Sequence, residues 1–98
     1  MPDYNLLGLC RRAGKLSLGH DASKEAIRSG RAKLVIIASD ASERLCGEID
    51  GLCVSVPVHH AEKTADEISH ITGKKAAVMT VDDENFASGL IARLNKEN

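Results

Sequence analysis

Apolar residues recur at two spacings along this chain, and the spacing switches repeatedly. In residues 4–13 (YNLLGLCRRA), Leu6, Leu7, Leu9 and Cys10 fall at helical spacing. Arg11 and Arg12 follow at the end where cations suit the helix dipole. Gly14 ends that helix. Residues 15–18 alternate like a short strand, and Gly19 opens a second helix that reaches Ser29. Its inward stripe is Ala22, Ala26 and Ile27, and Gly30 stops it. Residues 32–38 (AKLVIIA) form a continuous apolar run, the pattern of a strand covered on both faces.

Asp40 and Glu43 have the spacing of a capping box, which predicts a helix over about 41–50. Residues 53–58 (CVSVPV) read as the next strand, with Pro57 at a strand end or edge because it cannot donate a ladder bond. Thr64 and Glu67 match a capping box, and the helix they start ends at Gly73. Residues 76–81 (AAVMTV) are another strand. Asp82 and Asp83 favour the start of a last helix through about Leu94, which buries Phe86, Leu90, Ile91 and Leu94.

The order αβαβαβαβα predicts an α/β fold: a three-layer α/β/α sandwich around a four-stranded mixed sheet. No linker, repeat or low-complexity stretch divides the chain, so residues 1–98 read as one domain. Leu34, Val35, Ile36, Ile37, Val54, Val56, Val78 and Val81 are the expected sheet core.

Charge changes the picture. Residues 1–33 hold seven Lys and Arg against three acids, a formal +4, while residues 34–98 carry −5. A chain with a net charge of −1 thus has two oppositely charged halves, a pointer to a polyanion partner. The only aromatics are Tyr4 and Phe86, too few for a sheet face that stacks bases. No apolar run approaches the roughly 20 residues of a membrane span. Three cysteines without a secretory signal point to reduced thiols in the cytoplasm.

Little in the sequence suggests catalysis. Gly14-x-x-x-x-Gly19 lacks the Lys-Ser/Thr of a phosphate-binding loop and reads as a helix stop and a hinge. Cys10, Cys46 and Cys53 form no C-x-x-C pair, and Cys10 and Cys53 read as small buried hydrophobes. His59 and His60 are adjacent on a strand, so they point to opposite faces and do not chelate one metal together. The reading is no metal, no cofactor and no catalytic residue.

The basic face is more specific. Lys24 and Arg28 are four apart on the second helix and share a side. Gly19 places that helix's N-terminus at a strand end, where free N–H groups and the dipole favour phosphate, and Lys15 lies just before. Asp21 tempers the field, but its carboxylate can accept from base amino groups. These residues suggest RNA contact, mainly through phosphates.

Several stretches together resemble the kink-turn RNA-binding ribosomal protein superfamily, of the seven-Ae and thirty-e types. The branch they resemble is the small bacterial one represented by YlxQ and YbxF. They are LLGLCRRAG (6–14), AIRSG (26–30), AKLVIIASDA (32–41) and DDENFASGL (82–90), with shorter matches at 15–19, 56–57 and 73–74. The resemblance implies an α/β/α sandwich that binds sharply bent RNA without catalysis. Two surfaces would do so: the start of the second helix and the loop before the last strand. Mapped here, the first is Gly19, His20 and Asp21, with Lys24 further on; the second is Gly73, Lys74, Lys75, Ala76 and Ala77. Ser39 and Asp40, in the matching stretch 32–41, complete the set with Lys15 and Arg28.

This chain departs from the family pattern where His20 replaces Thr, Asp21 replaces Asn, Ala22 replaces Glu and Glu25 replaces Lys. Asp only accepts where Asn also donates, and Glu25 repels phosphate. The partner implied is structured RNA, with the ribosome as one place to meet it, and neither DNA nor membrane. The protein would act as a monomer. The competing reading is a protein-interaction module that keeps the scaffold and has lost standard kink-turn binding; an enzyme ranks last.

Overall fold

The computed structural model describes residues 3–94. Its elements follow the predicted order: α1 (Leu6–Arg12), β1 (Leu16–Leu18), α2 (His20–Arg28), β2 (Leu34–Ile37), α3 (Glu43–Leu52), β3 (Val58–His60), α4 (Ala65–Thr72), β4 (Val78–Val81) and α5 (Glu84–Leu94). The strands lie in the order β1-β4-β2-β3. β4 is antiparallel to both β1 and β2, and β2 is parallel to β3. The sheet is mixed, as expected. β1, β2 and β3 therefore point one way and β4 the other.

β2 and β4 are buried along their whole length, which is why LVII and VMTV show no polar alternation. Period two still splits the core. Leu34, Ile36, Met79 and Val81 pack with Leu7, Cys10, Ile68 and Leu90 from α1, α4 and α5. Val35, Ile37 and Val78 face the other layer, against Ile49 of α3 and half-buried Ile27 of α2. Two helical layers on one sheet make the three-layer sandwich. α1 and α4 approach closely at Gly8, where a Cβ would sit 3.2 Å from the Ile71 carbonyl oxygen. Thr80, the polar member of the sheet core, donates to Asp82 Oδ1 at 2.8 Å.

Three local expectations are corrected. The third strand spans Val58–His60, not residues 53–58. Cys53 instead caps α3 and is half-buried, Val54 is 95% exposed and Val56 is half-buried, so neither valine joins the sheet core. Apolar alternation at 53–58 misled because α3 starts and ends two residues later than expected and the chain turns before pairing. The N-cap of α3 is Ser42, whose side chain accepts from Leu45 N–H at 3.1 Å; Asp40 serves another helix. On α2, Ser23 is buried where Ala22 was expected, and Ala22 is exposed. The Thr64–Glu67 capping box is present in full.

The edge strand β3 is tied to the start of α1 through His59. The buried Tyr4 hydroxyl lies 2.9 Å from His59 Nε2 and accepts from Glu62 N–H at 3.4 Å. Burial first, then the neighbouring His60, holds the His59 pKa below the usual histidine value. The fold thus favours the neutral ring, whose Nε2 in the Nδ1–H tautomer accepts from the Tyr4 hydroxyl.

Two outcomes follow from this packing. Val35→Ala should lower stability to denaturant by about 1–3 kcal/mol, through lost burial and a partly unfilled cavity. For His59, the unfolded chain takes up a proton as pH falls through about 6.5, while the folded ring resists it. The unfolded state then binds more protons, so the melting temperature should fall between about pH 7.5 and 5.5. His59→Gln, which keeps an acceptor and removes the titration, should flatten that slope. An unchanged slope would assign the titration to another group.

Candidate nucleic-acid interface

The strand directions bring four chain segments to one end of the sheet. Gly19 follows β1, Ser39 and Asp40 follow β2, Lys63 and Thr64 follow β3, and residues 73–77 lead into β4. Backbone bonds join them. Gly19 N–H donates to the Val78 carbonyl at 2.9 Å, Ala38 N–H to Ala77 at 2.8 Å, and Ser39 N–H to Lys63 at 2.9 Å. In open α/β sheets ligands bind outside the carboxyl ends of the strands, and here three such ends converge.

Gly19 takes φ +103° and ψ 171°, a conformation that is costly for any residue with a Cβ. A Cβ there would touch nothing within 4 Å, so the constraint is torsional, not steric. Gly19 caps α2 without a side-chain bond, which leaves the first-turn amides without a side-chain acceptor. His20, Asp21, Ala22 and Glu25 are exposed around this start.

Lys24 is engaged. Its Nζ lies 2.7 Å from Glu48 Oε2, and His20 Nε2 lies 2.9 Å from Glu48 Oε1. The hydrogen bond from Lys24, then that from His20, lowers the Glu48 pKa. A cation expected to be free for phosphate is thus held by a carboxylate of α3. A shallow pocket of about 390 Å³ adjoins this clamp, lined by His20, Ser42, Arg44, Leu45 and Glu48.

The loop before β4 starts at Gly73, the left-handed cap of α4 with φ +89°. Arg11 donates to the Thr72 carbonyl, and a Cβ on Gly73 would lie 2.9 Å from its guanidinium. The end of α1 therefore braces the loop. Lys74 and Lys75 are exposed and Ala77 is half-buried. Ala76, at 8% exposure, belongs to the core and offers almost no surface to a ligand. Ser39 is exposed, and Asp40 accepts from Ala65 N–H at 2.9 Å, which caps α4.

Lys15 and Arg28 stand apart from this group. Lys15 sits at the far end of β1, where its carbonyl accepts from Asp82 N–H at 2.8 Å. Arg28 ends α2, roughly 13 Å along the helix axis from Gly19 at 1.5 Å per residue. It lies with Arg31 and Lys33 where β2 begins. A groove of about 480 Å³ opens at that end, lined by Ile27, Lys33, Val54, Val56, Glu84 and Ile91 among others.

Other chemistry is weakly supported. The Cys10 thiol donates to the Lys15 carbonyl at 3.1 Å, and burial, then Asp82 and Asp83, pushes its pKa up to about 11. It is protonated at neutral pH and a poor nucleophile. Among the described residues, no three His, Cys, Asp or Glu side chains gather as metal ligands, and no helix is long and apolar enough to cross a membrane.

Sequence reasoning missed Arg11, Glu48 and Lys63. Arg11 reaches a carbonyl 61 positions away and Glu48 a lysine 24 away, separations that periodicity does not register. Lys63 was hidden by the misplaced third strand.

Residues 4–91 match the family model described as "Ribosomal protein L7Ae/L30e/S12e/Gadd45 family". The chain is 37% identical to the RNA-binding protein YlxQ of Bacillus subtilis over 95 residues, 94% of each chain. It is 31% identical to large ribosomal subunit protein eL30 of Yarrowia lipolytica over 93 residues, 91% of this chain and 85% of that one. A solved protein of unknown function from Bacillus halodurans superposes with a TM-score of 0.88 at 29% identity, covering 94% of this chain and 95% of that one. The Giardia lamblia 15.5kD RNA binding protein shares the fold, with a TM-score of 0.77 at 17% identity over 92% and 82% of the two chains. A match across nearly the whole sequence, joined to the sheet order and the glycine-capped second helix, places the chain in the ribosomal protein L7Ae/L30e/S12e/Gadd45 family, within its bacterial YlxQ-like branch.

Proposed function

We propose that this protein is a non-catalytic RNA-binding protein that holds structured RNA at the end of the sheet where Gly19, Ser39 and residues 73–77 meet. The observation that carries the reading is that junction: a helix N-terminus capped by glycine without a side-chain bond, held by backbone bonds beside a loop with two exposed lysines. Family membership supports it, since relatives are named as RNA-binding and ribosomal proteins. The chemistry on offer is recognition. Backbone amides and Lys74 and Lys75 meet phosphates, His20 and Asp21 meet base or sugar edges, and Ala77 offers a small apolar contact. Lys15 and Arg28 reach RNA only if it extends along α2 to the far end of β1. The protein would work as a monomer in the cytoplasm, with ribosomal or similarly bent RNA as its partner.

A second reading has one observation in its favour. Val54 is 95% exposed at the rim of the groove opposite the RNA end, a position that suits a protein contact. Val54→Ser, which leaves the RNA end untouched, separates the two readings.

Binding should be read by anisotropy of a labelled bent RNA across a salt series. Replacing Lys74 and Lys75 by Ala together should weaken binding and reduce the log–log salt slope by about 1.5–2 units. Val54→Ser should leave the isotherm unchanged. The triple change Asp21→Asn, Ala22→Glu and Glu25→Lys, which restores the pattern the family resemblance implies, should tighten binding to a standard kink-turn. Equal affinity of the unmodified and restored proteins would show that these positions do not govern recognition. No RNA binding by either would leave the protein-contact reading.

A further inference from the structure

We propose that Glu48 is an intramolecular competitor for RNA phosphate: it occupies Lys24 and His20 in the free protein and is displaced onto Arg44 when RNA binds. This rests on the RNA-binding reading above. The two carboxylate oxygens of Glu48 take one bond each, from Lys24 at 2.7 Å and His20 at 2.9 Å. Two non-bridging phosphate oxygens present the same chemistry on a similar span, so one donor pair suits either anion. The clamp is open to exchange. The side chains of His20 and Glu48 are 45% and 36% exposed and that of Lys24 is 21% exposed, so solvent reaches the carboxylate although the lysine is partly buried.

A second seat for the carboxylate is in place. Arg44 lies four residues before Glu48 on α3, at the spacing that lets side chains pair along a helix. Arg44 is exposed, and among the described residues no acid lies within 4.0 Å of it. The 390 Å³ pocket is lined by both residues and gives the side chain room to move. Glu48 remains ionised at neutral pH, since its pKa is lowered and not raised. RNA binding thus exchanges one ion pair for another and does not strand a charge.

The test uses the full chain, a labelled kink-turn RNA, and thermal melts to confirm folding. Glu48→Gln should tighten binding about three- to tenfold, the worth of roughly one exposed charge contact. It should also steepen the salt slope by about one unit, a change that a merely structural role would not produce. Lys24→Ala should cost little in the unmodified protein and more in the Glu48→Gln background. Arg44→Ala should weaken binding in the unmodified protein and have no effect once Glu48 is Gln. Weakening in both backgrounds would make Arg44 a direct RNA contact and overturn its role as a seat. RNA binding that Glu48→Gln leaves unchanged or weakens would overturn the competition while the RNA reading stands. Absence of binding by every variant would overturn both.

Discussion

β4 lies between β1 and β2 and runs against both, and its entry accepts hydrogen bonds from each neighbour. Val78 accepts from Gly19 N–H and Ala77 from Ala38 N–H. These bonds set where β1 and β2 release the chain, so the loops that follow them emerge beside the loop that precedes β4. With β4 parallel to its neighbours, that loop would emerge at the opposite end. The proposed interface is thus a consequence of strand direction. Burial of LVII and VMTV across two helical layers holds the paired strands in the core in that arrangement. A one-residue slip of β4 would turn Val78 and Thr80 toward α1 and α4, which opposes that slip.

Backbone conformation does the finer positioning. Gly19 and Gly73 both have positive φ, and each begins one of the two surfaces. At Gly19 the open space around a hypothetical Cβ shows that torsion alone demands glycine. At Gly73 the Arg11 guanidinium adds a contact, since a Cβ there would press on the group that holds the Thr72 carbonyl. Arg11 thus couples α1 to the loop without being part of either strand or turn.

Most of the architecture was legible because each signal was local. The uniform apolar runs at β2 and β4, the Thr64–Glu67 box and the glycine stops each report on a few adjacent residues. Two of the errors share one cause. At 53–58 an alternating apolar pattern stood in a loop, and what decided the outcome was the pairing of Val58 with Val35, a contact between distant segments. Asp40 was read as the cap of the helix that follows it, whereas it caps one that starts 25 positions later. The candidate site suffered in the same way. Its glycines and lysines were visible, but Glu48 was not. Lys24, Arg28 and Lys15 looked like one basic face until the strand register moved two of them to the far end.

Three of the acids at the proposed interface, Asp21, Asp40 and Glu48, have folded-state roles. Asp21 lies in the first turn of α2, where a carboxylate suits the positive end of the helix dipole. Asp40 caps the start of α4, and Glu48 joins α3 to α2 through Lys24 and His20. Each stabilises the free protein and opposes phosphate by its charge. The two demands differ in how they respond to substitution. The amides at the start of α2 are placed by the torsions of Gly19, and the loop through Gly73 is placed by its left-handed turn and the Arg11 brace; none of the three carboxylates holds either. Side-chain charge sets how strongly an anion is attracted there. Replacing Asp21 or Glu48 would therefore change the charge at the proposed interface while the turns at Gly19 and Gly73 that present it stay in place.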